Sequence, residues 1–194
     1  MTNYLDKIPE QSKDYIKSLV VLNNIKIFLK KNRKTKYGDF TVKPNGQKLI
    51  TINSDLNIYR FLITLLHEIA HFLTYNDYGI YVKPHGIEWK NKFKNLLLPV
   101  INSNIFPDDV LKPLAFYAKN PKASTDSDLQ LSLILNKFDK EKAKYIFQLK
   151  NGSVFKTYNG KKFKLIRKIR KRYECKDLLT KKLYLFNPNY KICI

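Results

Sequence analysis

Residues 61–73 read Phe61-Leu-Ile-Thr-Leu-Leu-His67-Glu-Ile-Ala-His71-Phe-Leu73, an apolar segment interrupted by two histidines and one glutamate. Residues Ser54 to Asn57 precede it and can cap a helix with their side-chain oxygens, while Asn76, Asp77 and Gly79 follow it and break a helix. The segment therefore predicts a helix that ends at about Tyr75. Because apolar residues occupy nearly every side of that helix, we expect it to be buried in its domain.

The five residues from His67 to His71 have the pattern His-Glu-x-x-His. Residues four apart on an α-helix lie one turn apart on nearly the same side, so both imidazoles can face one metal ion. Glu68 projects in an adjacent direction, where its carboxylate can act as a general base without binding the metal. The pattern predicts a zinc site with His67 and His71 as ligands and Glu68 as the catalytic residue.

The third ligand of this zinc site is predicted from the small number of histidines in the chain. Catalytic zinc takes three protein ligands and keeps one position open. The chain has three histidines, and His85 lies between Pro84 and Gly86 at the predicted start of the next helix. We expect His85 to complete the site for one catalytic Zn²⁺ ion, and Glu88 on the following helix is the alternative ligand.

A short motif can also arise by chance, in which case its histidines would be core residues with ordinary hydrogen-bond partners. Two imidazoles and a carboxylate on a buried helix would be costly without partners, and one metal ion can act as partner to all three. The buried setting therefore favours the metal site.

Helices and strands both occur in the pattern of the remaining chain, which predicts an α+β fold. Three short strands between residues 25 and 53 are expected to form a small antiparallel sheet. Three further helices are predicted at Glu10–Leu22, Ile87–Leu98 and Pro107–Ala118. These elements make up a predicted domain over residues 1–125.

The C-terminal region, residues 140–194, differs in composition and in pattern. Asn159-Gly160 and the segment from Asp177 to Thr180 are signals for two β-hairpins, so we predict a small β subdomain. The chain as a whole has 37 basic and 16 acidic residues and a formal net charge of +21, whereas residues 140–194 alone hold 17 basic and 3 acidic residues.

Within this region, residues 161–172, which we call the basic segment, contain eight cations and no acid. Such a segment attracts phosphate backbones, although charge runs are also common on solvated faces. The predicted nucleic-acid-binding residues are Lys161, Lys162, Lys164, Arg167, Lys168, Arg170, Lys171 and Arg172.

Cysteine usage and hydropathy exclude several other classes of protein. Cys175 and Cys193 belong to no Cys-x-x-Cys pair, which excludes a disulfide scaffold and a four-cysteine zinc site. No apolar stretch approaches the roughly 20 residues of a transmembrane helix, and residues 1–10 lack the pattern of a signal peptide. We expect a cytoplasmic protein with no membrane partner.

The segment Leu65-Leu-His-Glu-Ile-Ala-His71, followed by His85-Gly-Ile-Glu-Trp-Lys90, resembles the SprT-like, Spartan-related metallopeptidase family. Upstream, Lys34-Thr-Lys-Tyr-Gly38 and Leu49-Ile-Thr-Ile-Asn-Ser54 resemble that family's strand pair. The resemblance implies a zincin-like fold with His67, His71 and His85 as zinc ligands and Glu68 as general base. It also implies a cytoplasmic or nucleoid-associated protease that acts on proteins trapped on DNA.

The C-terminal region departs from the pattern of this family. Many members end in a zinc ribbon with two Cys-x-x-Cys pairs, and here only Cys175 stands at a plausible ligand position. We therefore predict a degenerate, ribbon-like subdomain held together by aromatic packing. The aromatic residues expected in its core are Phe147, Phe155, Phe163, Tyr173, Tyr184 and Phe186.

Together these features predict a zinc metalloendopeptidase that cleaves proteins bound or crosslinked to DNA, with single-stranded DNA or DNA-bound proteins as partners. One alternative is a nucleic-acid-binding protein with a structural or vestigial zinc site, but such a site has no use for Glu68. Another alternative is a zinc hydrolase of a small amide. A tyrosine could stabilise the oxyanion of the reaction, and the candidates are Tyr75, Tyr78 and Tyr81.

Overall fold

Helices and strands are combined in this chain, which confirms the predicted α+β class. A computed structural model describes residues 3–33, 36–124, 128–140 and 144–193. The chain divides into two compact units, Met1–Lys140 and Glu141–Ile194. In the described ranges, no helix has both the length and the apolar character needed to cross a membrane.

The first unit contains all five α-helices of the described chain. They are α1 (Lys13–Leu22), α2 (Ile58–Tyr78), α3 (Ile87–Leu97), α4 (Asp108–Lys119) and α5 (Leu129–Asn136). The four predicted helices are present within about three residues of their expected bounds, and 3-10 turns extend α1 at its start and α3 at its end. Helix α5 was not predicted from the sequence.

Strand β3 is the centre of a three-stranded sheet in the first unit. Its strands are β1 (Ile27–Lys30), β2 (Gly38–Val42) and β3 (Lys48–Asn53), in the spatial order β1-β3-β2. Strands β2 and β3 form an antiparallel hairpin, but β1 pairs with β3 in parallel. The prediction of a purely antiparallel sheet is therefore wrong. The hairpin turn places β3 beside β2, and β1 aligns along the other edge of β3, which carries the fully buried Ile50 and Ile52.

Helix α2 runs through the core of the first unit, as its apolar pattern predicts. Every residue from Arg60 to Ala70 is buried. Asn57 caps the helix by accepting a hydrogen bond from the backbone N–H of Arg60 at 2.9 Å, and its amide donates to the carbonyl of Leu135 at 3.0 Å. The buried guanidinium of Arg60 pairs with Asp139 at 3.4 Å. These contacts attach the start of α2 to α5 and to the segment that follows it.

The second unit is built mainly from strands. They are β4 (Lys144–Tyr145), β5 (Val154–Lys156), β6 (Lys162–Ile169), β7 (Arg172–Asp177), β8 (Leu183–Phe186) and β9 (Lys191–Ile192). Strands β5 to β8 form one antiparallel sheet in the order β5-β6-β7-β8, and β4 pairs with β9. Both predicted hairpins are present: β5–β6 turns at Asn159-Gly160, where Gly160 has φ 82°, and β7–β8 turns after Asp177.

Aromatic and aliphatic side chains form the core of the second unit. The buried members are Ile146, Phe155, Phe163, Leu165, Cys175 and Ile192, with Leu149, Tyr173 and Phe186 packed against them. Two of the six predicted aromatic residues lie outside this core: Phe147 stacks on Tyr145, and Tyr184 is 40% exposed at the edge of the Phe163 ring. Burial, with a smaller contribution from the charge of Glu174, raises the pKa of the Cys175 thiol to about 12. The protonated thiol is a poor metal ligand, because metals bind the thiolate.

Candidate metal centre

The three histidines of the chain converge on one point in the first unit. His67 and His71 lie one turn apart on α2, and His85 reaches them from the loop that precedes α3. The Nε2 atom of His71 is 3.2 Å from that of His67 and 3.0 Å from that of His85, and the third pair is 3.2 Å apart. The structure thus brings together the residues that the sequence analysis selected as ligands.

The arrangement of these three nitrogen atoms fits a metal ion better than it fits hydrogen bonding. Each Nε2 carries either a hydrogen or a lone pair, so a triangle of three always contains one pair of equal kind that cannot hydrogen-bond. A tetrahedral zinc ion bound at 2.0–2.1 Å holds its nitrogen ligands about 3.3 Å apart, which is close to the observed spacing. Among the described residues, this is the one group of three or more His, Cys, Asp or Glu side chains placed to share an ion. Neither Glu68 nor the alternative ligand Glu88 is a member of that group.

Burial keeps the imidazoles in their neutral form, which is the form that binds metal. Desolvation, followed by the neighbouring His71 and His85, lowers the pKa of His67 to about 2. Desolvation also lowers the pKa of His71 to about 4 and moves the pKa of His85 in the same direction. Metal binding at neutral pH therefore does not require these groups to lose a proton first.

The loop before α3 holds His85 in a constrained backbone conformation. His85 has φ 59°, in the left-handed region that residues other than glycine rarely adopt. The N–H of Gly86 closes a turn by donating to the carbonyl of Lys83 at 2.8 Å. A Cβ at Gly86 would lie 2.9 Å from that carbonyl oxygen and 2.9 Å from a Glu88 carboxylate oxygen, so the turn requires glycine. The strain at His85 is maintained by this turn, which directs its imidazole to α2.

Trp89, the single tryptophan of the chain, packs against all three imidazoles. Its ring centroid lies 4.6 Å from that of His67, 5.2 Å from that of His71 and 4.7 Å from that of His85. The indole is fully buried, and its N–H donates to the backbone carbonyl of His67 at 3.4 Å. In the sequence, Trp89 stands out only as part of the His85–Lys90 motif, and no pattern indicates that its ring contacts each histidine.

Glu68 lies on the side of α2 that faces strand β2. Its carboxylate is buried and accepts a hydrogen bond from the backbone N–H of Phe40. Burial, and next the negative charge of Asp39, raise the pKa of Glu68 to about 8, while the Phe40 N–H, Arg33 and Lys36 act in the opposite direction. The sequence predicted the position of Glu68 on the helix, but its contact with β2 comes from the tertiary structure.

Gly38 provides the space that Glu68 occupies. A Cβ at Gly38 would lie 2.6 Å from Glu68 Oε1, 2.8 Å from its Cγ and 2.8 Å from the Thr64 methyl carbon. Real Cβ atoms do not approach neighbours so closely, so only glycine allows β2 to pack this tightly on α2. This role was missed in the sequence analysis, which quoted Gly38 only within a longer segment.

A polar network anchors the backbone just before Gly38. Arg33 donates from Nε to the side-chain oxygen of Asn53 at 2.8 Å and from Nη1 to the Thr51 hydroxyl at 2.9 Å. The fully buried Asn53 amide donates in turn to the carbonyls of Arg33 at 3.0 Å and Lys36 at 3.1 Å. These bonds connect Arg33 and Lys36, which both precede β2, to the central strand β3.

The tyrosines proposed for the oxyanion lie at and beyond the end of α2. The ring of Tyr75 packs against Phe40 at a centroid distance of 5.8 Å. Tyr78 is 44% exposed and Tyr81 is 92% exposed. Their part in the reaction stays a prediction.

The cations of the basic segment are all exposed, but they do not share one surface. Lys162, Lys164 and Arg167 lie on β6, with Arg167 paired to Glu174 at 3.0 Å. Lys168 lies over the ring of Tyr173 at 5.9 Å. The remaining members are in the turns at either end of β6 or at the start of β7: Lys161, Arg170, Lys171 and Arg172.

Comparison with known proteins identifies the first unit. The model of the SprT-like family matches residues 6–104, which is about half of the chain and includes the three histidines, Glu68 and Trp89. No curated protein and no solved structure matches the chain. The matched range contains α1 to α3 and the sheet β1-β3-β2, and it confirms the resemblance seen in the sequence: the chain belongs to the SprT-like family.

Proposed function

We propose that this protein is a zinc metalloendopeptidase with a zincin-like catalytic domain, and that it cleaves proteins bound or crosslinked to DNA. The observation that carries the proposal is the triangle of three Nε2 atoms, 3.0–3.2 Å apart, with Glu68 next to His67 on the same helix. The ligands would be His67, His71 and His85.

A zinc ion held by three imidazoles supplies a Lewis acid that polarises a peptide carbonyl and acidifies water. The protein's own contribution to the chemistry is proton transfer by Glu68. The ionised carboxylate, which a cation bound at the three histidines would favour, takes a proton from the attacking water and later delivers it to the nitrogen of the leaving amine. The Phe40 N–H orients this carboxylate, and Gly38 leaves room for it.

The edge of strand β2 supports an extended peptide as substrate. Phe40 and Ile50 face each other as partners in the antiparallel pair, and the Phe40 N–H points away from β3 towards Glu68. The free edge of β2 therefore adjoins the carboxylate, and an extended chain can add to such an edge by backbone hydrogen bonds. A small amide would leave this edge unused, so the geometry favours a peptidase over a hydrolase of small amides.

The DNA part of the proposal is supported by charge. Residues 140–194 carry 17 of the 37 basic residues and 3 of the 16 acidic ones, and the cations of the basic segment are exposed. Binding of this unit to DNA would raise the local concentration of the enzyme around proteins held on the same DNA.

The test is a metal analysis combined with a proteolysis assay in the presence and absence of DNA, on the wild type and on Glu68→Gln. We expect one equivalent of zinc in both proteins. Hydrolysis by Glu68→Gln should be about 10²- to 10⁴-fold slower, because the amide cannot accept a proton. Glu88→Gln, a carboxylate outside the histidine group, is the matched control and should retain activity. Zinc binding with undiminished hydrolysis by Glu68→Gln would contradict the proposed role, and zinc binding without hydrolysis by the wild type would favour a nucleic-acid-binding protein with a structural zinc site.

A further inference from the structure

The four-stranded sheet of the second unit has one apolar face and one basic face. Phe155, Phe163, Leu165 and Cys175 point into the core, and the alternation along the strands sends their neighbours to the other side, which we call the outer face. The strand register gives the membership of the outer face. Its residues are Val154, Lys156, Lys162, Lys164, Arg167, Ile169, Arg172, Glu174, Lys176, Leu183 and Leu185.

Two pairs of lysines lie directly opposite each other on this outer face. Lys156 is the register partner of Lys162 on the neighbouring strand, and Lys164 is the partner of Lys176. Like charges in such cross-strand positions destabilise a sheet. Lys156 and Lys176 lie outside the basic segment in sequence, and only the strand pairing places them beside it.

No carboxylate within the described part of the chain neutralises these four lysines, which we call the lysine quartet. The single acid of the outer face, Glu174, is paired with Arg167 at 3.0 Å. All four lysines are exposed, and none of them takes part in an ion pair with another described residue. The positive charges of these four lysines therefore repel one another in the folded sheet, and a bound polyanion would reduce that repulsion.

The outer face lacks the side chains that stack on unpaired bases. Among the described residues of β5 to β8, each aromatic side chain belongs to the opposite face or its margin: Phe155, Phe163, Tyr173, Tyr184 and Phe186. Proteins that bind single strands combine cations with aromatic stacking platforms, whereas contact with a duplex backbone requires cations alone.

The order of residues across the sheet also favours a phosphate backbone over a membrane surface. One row across β5, β6, β7 and β8 reads Val154, Lys164, Lys176, Leu183. In this row the two central strands contribute the lysines, and the exposed Val154 and Leu183 lie on the two outer strands. A face that inserts into lipid would place its apolar residues at the centre.

We propose that the outer face binds the phosphate backbone of double-stranded DNA through Lys156, Lys162, Lys164 and Lys176, without reading base sequence. This inference extends the DNA part of the proposed function, because it names the surface and the form of DNA. It does not depend on the protein being a peptidase.

The experiment compares two full-length variants that lose the same charge. The face variant carries Lys156→Gln, Lys162→Gln, Lys164→Gln and Lys176→Gln. The control variant carries Lys144→Gln, Lys150→Gln, Lys181→Gln and Lys182→Gln, which are exposed lysines of the same unit outside both the outer face and the basic segment. Binding of two labelled duplexes of unrelated sequence, and of a single strand of equal length, is measured by fluorescence anisotropy over a range of salt concentrations.

For the face variant we expect at least a tenfold loss of duplex affinity for both sequences. The slope of log affinity against log salt should fall by about 3.6 units, because four phosphate contacts are lost and each contributes about 0.9 to that slope. The control variant should lose less than threefold. Equal losses in both variants would show that net charge alone governs binding, and tighter binding of the single strand by the wild type would contradict the choice of duplex.

One further measurement distinguishes DNA from a membrane as the partner, and a second variant covers the case in which the face variant does not fold. If the wild type binds phosphatidylglycerol vesicles more tightly than the duplex, and the face variant loses that binding, the surface is a membrane site and the inference is wrong. If the quadruple variant fails to fold, Lys164→Gln with Lys176→Gln replaces it, with an expected slope change of about two units. Hydrolysis of a short peptide without DNA is measured separately, so that a failure of the proposed peptidase activity leaves the binding result interpretable.

Discussion

The two units of this protein differ in where they place the charged and titratable side chains of their candidate sites: the first unit buries them at least partly, and the second exposes them. Helix α2 in the first unit buries His67 and Glu68 in an apolar core, and desolvation drives both groups towards their neutral forms. The β5–β8 sheet in the second unit places its cations on an exposed face, where they remain in water.

This difference determines how each region depends on individual residues. In a buried site each polar group needs a specific partner, so a displacement of about 1 Å alters the chemistry. On an exposed face the charges act together over distances set by screening, so single substitutions have small effects. We therefore expect the substitutions with the largest effects to lie in the first unit.

The largest expected effect is the loss of zinc on removing one ligand. His85→Ala should weaken zinc binding by more than about 100-fold, because loss of a ligand exceeds the 10- to 100-fold cost of losing a residue that supports one. Cys175→Ser in the second unit should still bind one equivalent, since the pKa of this thiol lies too high for a ligand. Competition with a chromogenic chelator measures both variants. If His85→Ala binds zinc with wild-type affinity, His85 is not a ligand. If Cys175→Ser binds one equivalent of zinc fewer than the wild type, the second unit also holds a metal.

Gly38→Ala should reduce peptide hydrolysis about 10- to 100-fold while leaving the zinc content unchanged. The added methyl group would overlap Glu68 Oε1, and displacement of a catalytic group by about 1 Å can cost 10²-fold in rate. Thr41→Ala, an exposed position on the same strand, is the matched control. Steady-state kinetics with a fluorogenic peptide, together with metal analysis, separates displacement of the base from loss of the metal.

Trp89→Phe should weaken zinc binding about tenfold, because the smaller ring cannot contact all three imidazoles and lacks the N–H that donates to His67. In the wild type, Trp89 is the single tryptophan and lies within 5.2 Å of each imidazole ring centroid. Titration with Co²⁺ should therefore quench the tryptophan fluorescence. Emission that does not respond to a bound Co²⁺ ion would place the metal away from the indole.

The smallest expected effect is the pH dependence of stability in the zinc-free protein. The folded-state pKa values of His67 and His71 lie below the ordinary 6.5, so the unfolded chain binds more protons below that pH and stability falls as the pH decreases. The pKa of Glu68 is raised to about 8, so the folded state binds more protons between about pH 4.5 and 8 and stability falls as the pH rises through that window.

Glu68→Gln should therefore remove the loss of stability as the pH rises towards 8. The loss of stability as the pH falls below 6.5 should remain. The difference between the variant and the wild type should change by at most about 1.4 kcal/mol per pH unit, because one proton is involved. Thermal unfolding of both chelator-treated proteins from acidic to alkaline pH measures it. If the stabilities of the variant and the wild type change with pH in the same way, burial does not hold the Glu68 carboxyl group in its protonated form.

The core of the site could be predicted because its residues are close in sequence. His67, Glu68 and His71 share one helix, and helical geometry alone fixes their spacing. His85 followed from the number of histidines. The roles of Gly38, Trp89 and Arg33 could not be predicted in the same way, because each depends on an approach between elements that sequence spacing does not measure.

The same limit applies to the sheets. The hairpins β2–β3 and β5–β6 were predictable, because a turn between neighbouring strands specifies antiparallel pairing. The parallel pairing of β1 with β3 joins strands that are not adjacent in the chain, and no local signal encodes it. Likewise, the run of cations at 161–172 is visible in the sequence, but the pairing of Lys164 with Lys176 requires the strand register.

The sequence by itself determined the helix with its His-Glu-x-x-His pattern, the family and the basic character of the C-terminal unit. Those properties depend on composition and on periodicities shorter than about two helical turns. The tertiary structure alone decided which groups surround Glu68, how Trp89 contacts the three imidazoles and which lysines share a face. These are contacts between residues distant in the chain, and they are set by packing the elements into a core, where side-chain volume and burial select one arrangement.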